Sequence, residues 1–314
     1  MDKKPLIILT GPTAVGKSSL SISLAKRINA EIISADSMQV YKGMNIGTAK
    51  IKPEEMKGVA HYLIDELEPD EEFNVVKFKQ MARFYMEQIY AKGKIPLLVG
   101  GTAFYIQAVL YDIDFDESDS DSSYRDYLSE LARQKGNEYL HNLLREKDPE
   151  SAAVIHPNNL KRVIRALEYI KQTGKKISEH NREQKAKASP YNFCYFVLNR
   201  DRAALYDSIN KRVDQMIKEG LINEVKALME AGFSRDLVSM QGLGYKELIA
   251  YLNGEYSLEE AIEILKRDTR HFAKRQLTWF KHERDVIWIN KDDFSSEEEI
   301  LAYMTDILNS KFII

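Results

Sequence analysis

Residues 11–18 read GPTAVGKS: two glycines with four residues between them, then Lys17 and Ser18. The spacing fits G-x-x-x-x-G-K-[ST], and the run lies between an apolar stretch and a helical one. The glycines let backbone N–H groups turn inward around phosphate oxygens. Lys17 adds a point charge, Ser18 can ligate Mg²⁺, and the helix N-terminus adds its dipole. Gly11, Pro12, Thr13, Ala14, Val15, Gly16, Lys17 and Ser18 are therefore the candidate residues for holding two or more linked phosphates. ATP is the usual guest of such a loop, but any diphosphate suits it. A nucleotide hydrolase commonly places an aspartate at the end of a second apolar strand to hold Mg²⁺. Here the matching stretch, PLLVGGT, ends in Gly100, Gly101 and Thr102, which offer backbone N–H groups and one hydroxyl. The carboxylate stands elsewhere, at Asp36 in SADSMQVYKGMNIGT. A residue at the tip of a second strand lies where open α/β sheets bind ligands. Asp36 suits a base acting on an acceptor nucleophile, and equally a helix N-cap. Ser37 and Gln39 add donors and acceptors suited to a nucleobase edge.

The elements that position these residues follow from periodicity. Leu6 to Thr10, residues 31–36 and residues 95–101 read as strands, separated by helical patterns over 17–28 and 74–92. In the second helix Val75, Phe78, Met81, Ala82, Tyr85 and Ile89 share a face, and Asn74 is its expected N-cap. Strands alternating with helices indicate βαβ units and a parallel sheet. Residues 111–126 break the pattern with seven acids, Asp112, Asp114, Asp116, Glu117, Asp119, Asp121 and Asp126, against Arg125, and read as a solvated connector. Polar helical sequence follows to about residue 188. Strands return at 192–198 and 285–289, with a long helix over 201–231 and helices near 244–252 and 258–283 between them. The fold class expected is α/β: a phosphate-loop parallel sheet flanked by helices, with a mainly helical insertion domain. The core comprises 1–112 and 193–314, and the insertion 113–192.

Composition bounds the partners. The 314 residues carry a formal net charge of −3, so the whole molecule is not a general polyanion binder. Two stretches are basic, however. Residues 156–190 hold nine Lys/Arg against three Glu, with Lys161, Arg162 and Arg165 on one helical face. Residues 264–284 hold seven against two, and their aromatics Phe272, Trp279 and Phe280 fall at helical spacing, as core residues do. Together these suggest a local face for a polyanion. The lone Cys194 lies in the apolar run FCYFVL and reads as a buried strand residue; it can form neither an internal disulfide nor a zinc cluster. No apolar run is long enough to span a bilayer and no secretory cleavage pattern opens the chain, so a cytoplasmic protein without a membrane partner is expected.

The stretches GPTAVGKS, SADSMQVYKGMNIGTAK, HYLID, LVGGTAFYIQA, KRVIRALE, QGLGYKEL and RHFAKRQLTWFK occur in this order and spacing. The chain thereby resembles, over essentially its whole length, the bacterial-type tRNA dimethylallyltransferases, also called tRNA isopentenyltransferases. DSMQVY after the phosphate loop is the specific element, since plain P-loop kinases lack it. Val15 stands where many members carry a smaller residue, and Lys161 where a glutamine is expected. With one cysteine, no zinc-finger tail like that of eukaryotic relatives is expected.

The resemblance implies that the diphosphate is that of dimethylallyl diphosphate. The acceptor it implies is N6 of adenosine 37, beside the anticodon of tRNAs reading codons that begin with U. It implies catalytic roles for Asp36, Thr102, Lys17 and Arg212, with Mg²⁺ as cofactor held through Ser18. It implies tRNA contacts by Asp36, Ser37, Met38, Gln39, Thr102, Arg125, Lys161, Arg162, Val163, Ile164 and Arg165, the insertion holding the anticodon stem and loop. The chain is expected to act as a monomer. The competing expectations are a nucleotide or nucleoside kinase using the loop for ATP, an isopentenyltransferase acting on free AMP or ADP, and a non-catalytic RNA-binding module.

Overall fold

The computed structural model describes residues 3–115 and 122–314. Its chain divides into two units, Met1–Leu110 with Pro190–Ile314, and Tyr111–Ser189. The first holds β1 (Pro5–Thr10), α1 (Lys17–Arg27), β2 (Ala30–Ser34), β3 (His61–Tyr62), α2 (Val75–Ala91), β4 (Ile95–Gly100) and α3 (Ala103–Leu110). The second holds α4 (Ser122–Lys135), α5 (Asn137–Lys147), α6 (Pro149–Val154), α7 (Leu160–Thr173) and α8 (Ile177–Ala186). The first then resumes with β5 (Asn192–Asn199), α9 (Arg202–Glu219), α10 (Leu221–Glu230), α11 (Tyr245–Leu252), α12 (Leu258–Phe280), β6 (Val286–Asn290) and α13 (Glu297–Ser310).

All six strands pair in parallel, in the order β3-β2-β4-β1-β5-β6. Leu6, Ile7, Ile8 and Leu9 are fully buried, as are Cys194 to Leu198, because helices cover both faces of these central strands. Burial pushes the Cys194 thiol up to about 11, so it packs as a small apolar residue. Strand order reverses at β1. The crevice outside the carboxyl ends of the strands therefore opens at the phosphate loop, which directly follows β1.

Four expectations change. The pair β3 is a strand the periodicity does not announce. The helix expected over 201–231 is two helices, broken where Gly220 takes φ +103° and ends α9 in the left-handed conformation. The buried stripe of α2 is Phe78, Ala82, Met86 and Ile89; Met81 and Tyr85 are only half-buried. Asn74 does cap it, accepting from the N–H groups of Val76 and Lys77 at 3.0 Å. The acidic connector ends earlier than expected, since Arg125 and Asp126 belong to α4; Asp116, Glu117, Asp119 and Asp121 lie outside the described residues.

The helical unit has its own core, with Leu128, Leu140, Leu144, Val163, Ala166 and Leu167 buried together. Asp148, fully buried, ties α6 and α8 by accepting from the N–H and hydroxyl of both Ser151 and Ser178, at 2.7–3.1 Å. Burial alone would raise its pKa, but these four hydrogen bonds hold it below the ordinary carboxylate value. No helix among the described residues is long and apolar enough to cross a membrane.

Candidate active site

The loop's shape is imposed residue by residue. Gly11 has φ +147°, and a Cβ there would lie 2.5 Å from the Leu198 carbonyl oxygen. Gly16 has φ +95° and opens α1 with no side-chain cap, so the first N–H groups of that helix are left for a ligand. Val15 turns its side chain into the core and its N–H toward the Pro12 carbonyl. The Thr13 N–H is donated to Gln276 Oε1 at 2.9 Å. Gly11, Pro12, Thr13 and Val15 thus shape the loop, and the first N–H groups of α1 carry no side-chain cap. Lys17 Nζ donates to the carbonyls of Gly11 and Pro12, each at 2.9 Å.

Two strand ends close against this loop. A Cβ on Gly100 would meet the Ala35 carbonyl oxygen at 2.1 Å, and one on Gly101 would meet Gln276 Nε2 at 2.2 Å. The GG pair therefore permits close approach more than it supplies donors. Across the gap Ala35 N–H donates to the Val99 carbonyl, Thr102 N–H to the Ala35 carbonyl, and Ser37 N–H to Thr102 Oγ1 at 3.2 Å. Asp36 stands just past the end of β2, with Oδ1 accepting from the Met38 N–H at 2.9 Å. No helix follows it, so the cap it makes is that of a turn.

A cleft of about 470 Å³ joins these pieces. Besides the loop and Asp36 it is lined by Gly47 to Ala49, by Ser208, Arg212 and Met216 of α9, and by Phe272 and Gln276 of α12. Ser208, Arg212 and Met216 recur every four residues, and Phe272 and Gln276 do likewise, so each helix turns one face to the cleft. Burial is the largest influence on the charges here. It raises the Asp36 pKa against the opposing Met38 N–H, Lys17, the Gln39 N–H and Arg212. It lowers Lys17 to about 7, helped by the Arg212 charge and resisted by Asp36. It also lowers Arg212, which Asp36 counters. A carboxylate whose pKa is raised, beside two cations at a phosphate loop, can take a proton on one side while an anion leaves on the other.

Several contributors carry no local signal. Gln276, 6% exposed, bridges the Thr13 N–H to the Gly101 carbonyl and locks the two glycine-rich turns together. Glu224 accepts from the N–H groups of Asn45, Ile46 and Gly47 at 2.8–3.1 Å and from the Tyr245 hydroxyl, fixing the 44–49 turn at the cleft. The one available signal was the four-residue recurrence on α9 and α12. The Gln39 amide, expected to suit a base edge, instead accepts from Ser34 Oγ and donates to the Thr48 carbonyl.

In the helical unit Lys161, Arg162 and Arg165 are exposed on α7, but Val163 and Ile164 are buried in the core and present no side chain to an RNA. Arg125 and Arg165, about half exposed, both pair with Glu168, which is 2% exposed on its side chain. Part of the second basic stretch is engaged within the protein: Lys266 pairs with Asp214, Arg267 with Asp268, and Arg270 donates to the neutral amide of Asn210. Of its aromatics Phe280 is core, while Phe272 lines the cleft. Ser18 is exposed at the first turn of α1, and no cluster of His, Cys, Asp or Glu able to hold a metal exists among the described residues. A metal at Ser18 would take its remaining ligands from phosphate and water, which suits Mg²⁺.

The Lys17 shift has a measurable sign. An unfolded lysine keeps its proton up to about 10.5 and the folded one only to about 7. The unfolded chain therefore binds more protons in that window, and stability from this group rises with pH across it. Lys17→Met removes the effect. Relative to wild type the variant should be most favoured below about pH 7 and lose that advantage as pH approaches 10.5. Urea denaturation of both chains across the window reads the difference; a constant difference would show that Lys17 titrates normally.

Residues 39–283 match the family model for IPP transferase. The chain is 64% identical over 311 residues to the tRNA dimethylallyltransferase of Lachnoclostridium phytofermentans, covering 99% of each. It is 53% identical over 296 residues to that of Acetivibrio thermocellus, covering 94% of this chain and 95% of the relative. Its fold superposes on the tRNA isopentenylpyrophosphate transferase of Bacillus halodurans with a TM-score of 0.72 at 46% identity, covering 98% of each. On a eukaryotic dimethylallyltransferase described as acting on tRNA, the TM-score is 0.82 at 31% identity, with 98% of this chain and 80% of that one covered. With a phosphate loop, a half-buried carboxylate past β2 and two cations at one cleft, the chain belongs to the IPP transferase family, that of the tRNA dimethylallyltransferases.

Proposed function

We propose that this protein transfers the dimethylallyl group of dimethylallyl diphosphate to N6 of adenosine 37 in tRNAs reading codons that begin with U. The observation that carries the reading is the juxtaposition of Asp36 with Lys17 and Arg212 at the phosphate loop. The adenine N6 lone pair is delocalised into the ring, so the amine needs help to attack. Asp36 accepts a hydrogen bond from N6 and takes its proton as N6 bonds to the allylic C1. The C1–O bond breaks and its electrons leave with diphosphate. Lys17, Arg212, the N–H groups at the start of α1 and the Thr102 hydroxyl stabilise the growing negative charge. Mg²⁺ held through Ser18, when bound, would further neutralise the diphosphate. Enclosing both reactants in one cleft removes much of the entropy cost of their meeting. Adenosine 37 must leave its stack to reach that cleft. Relatives named for tRNA, and a structural neighbour described as acting on it, support tRNA as the acceptor.

The test is incubation with dimethylallyl diphosphate, Mg²⁺ and unmodified tRNA, followed by nucleoside mass spectrometry. N6-isopentenyladenosine should form in tRNAs reading U-initial codons and not with free AMP. Equal or better turnover of AMP would shift the reading to a free-nucleotide prenyltransferase, and ATP consumption without prenyl transfer to a kinase.

The helical unit supplies the tRNA surface in this reading. Replacing Lys161, Arg162 and Arg165 together by Ala should weaken tRNA binding. It should also flatten the plot of log affinity against log salt by about 0.7 to 0.9 for each RNA phosphate no longer neutralised. Arg165 alone should give the smallest change, because Glu168 already neutralises part of its charge. Affinity for dimethylallyl diphosphate should hold. An unchanged slope in the folded triple variant would remove α7 from the RNA surface.

A further inference from the structure

One cation at the phosphate loop stands outside the chemistry above. Lys291 immediately follows β6, and a Cβ built on Gly16 would lie 2.7 Å from its Nζ. Its ammonium therefore rests against the second loop glycine, where α1 begins without a side-chain cap. The acids beside it are engaged elsewhere. Asp292 accepts from the Asp201 N–H and faces Arg200 at 3.7 Å, and Asp293 accepts from Asn290 Nδ2 at 2.8 Å. Among the described residues Lys291 forms no ion pair with a carboxylate.

Strand order decides which end of a ligand Lys291 meets. The loop follows β1. Asp36, past β2, and Thr102, past β4, lie on one side of it, while Lys291, past β6, lies on the other. Lys17 interacts with Asp36 and Arg212, so it belongs to the reacting side. An allylic diphosphate with its carbon toward Asp36 places its ester phosphate on that side. Its terminal phosphate then extends along the loop toward β6. We propose that Lys291 binds this terminal phosphate and so makes the site select a diphosphate over a monophosphate.

The proposal rests on the diphosphate reading of the loop given above. It also fixes a kinetic signature. When the C1–O bond breaks, new charge appears first on the ester oxygen, far from Lys291. An interaction equally strong before and during bond breaking changes KM and leaves kcat.

The experiment compares wild type with Lys291→Ala and Lys291→Arg, checked for folding by thermal melts. Calorimetry with inorganic pyrophosphate, prenyl transfer kinetics, and competition by dimethylallyl monophosphate give three readouts. Lys291→Ala should raise the pyrophosphate Kd and the KM for dimethylallyl diphosphate about tenfold, the scale of removing one charge-assisted hydrogen bond. Its kcat should stay within about twofold, its inhibition by the monophosphate should not change, and Lys291→Arg should restore most of the loss. Unchanged pyrophosphate affinity in folded Lys291→Ala would overturn the assignment, as would equal losses for monophosphate and diphosphate, or a fall confined to kcat. A wild-type protein that binds no pyrophosphate would instead remove the diphosphate reading itself, and Lys291 with it.

Discussion

Asp36→Asn is expected to lower the rate of prenyl transfer about 10²–10⁴-fold, the range for loss of a positioned general base. Asparagine keeps an oxygen to accept from the Met38 N–H, so the turn at the end of β2 should persist. The amide cannot accept the N6 proton. Binding of tRNA should survive because the α7 surface does not change, and pyrophosphate should still bind at a pH low enough to keep Lys17 charged. The substitution also takes away the negative charge that holds the Lys17 pKa up, so Lys17 should lose its proton at still lower pH. The remaining activity should therefore fall off at lower pH than in wild type. Single-turnover transfer with both substrates saturating separates rate from binding. A folded variant reacting at full speed would return Asp36 to the role of a turn cap.

Lys17→Ala should damage both binding and chemistry. The ammonium sits under the loop, donating to the carbonyls of Gly11 and Pro12, and is buried enough to be lowered to about 7. A charge-assisted hydrogen bond is worth about 1.5–3 kcal/mol, and it strengthens as the leaving diphosphate gains charge. The expected loss in kcat/KM is about 10²–10³-fold, with a higher Kd for pyrophosphate as well. The contrast with Lys291 is direct: Lys17 should change kcat and KM together, Lys291 KM alone. Near-normal turnover by Lys17→Ala would remove the phosphate-loop assignment.

Much of this site was legible because its signals are local. A glycine at 16 must adopt φ +95° to open a helix from a tight loop, and its neighbours Lys17 and Ser18 are fixed beside it by the chain itself. Unbroken apolar runs over β1 and β5 report strands buried on both faces, since a sheet covered by helices needs no alternation. Asp36 was legible for the same reason: a short strand ending in an acid puts that acid at the sheet's carboxyl edge whatever the rest of the chain does.

Tertiary structure decided what depends on distant residues meeting. Two residues at His61–Tyr62 are too few to show a period, and pairing with β2 alone makes them a strand. Gln276 is one amide in a basic helix, and only the packing of α12 against the loop turns it into the bridge between Thr13 and Gly101. Composition cannot tell a solvated lysine from a paired one. Lys266 meets Asp214 across two helices, while Lys161 stays exposed, and the sequence counts both alike. Sequence thus determined the chemistry present at the loop, because bonded neighbours and backbone torsions set it. The partners of Gln39, Glu224, Phe272 and Lys291 were decided by the fold, because meetings between residues far apart in the chain depend on sheet order and helix packing.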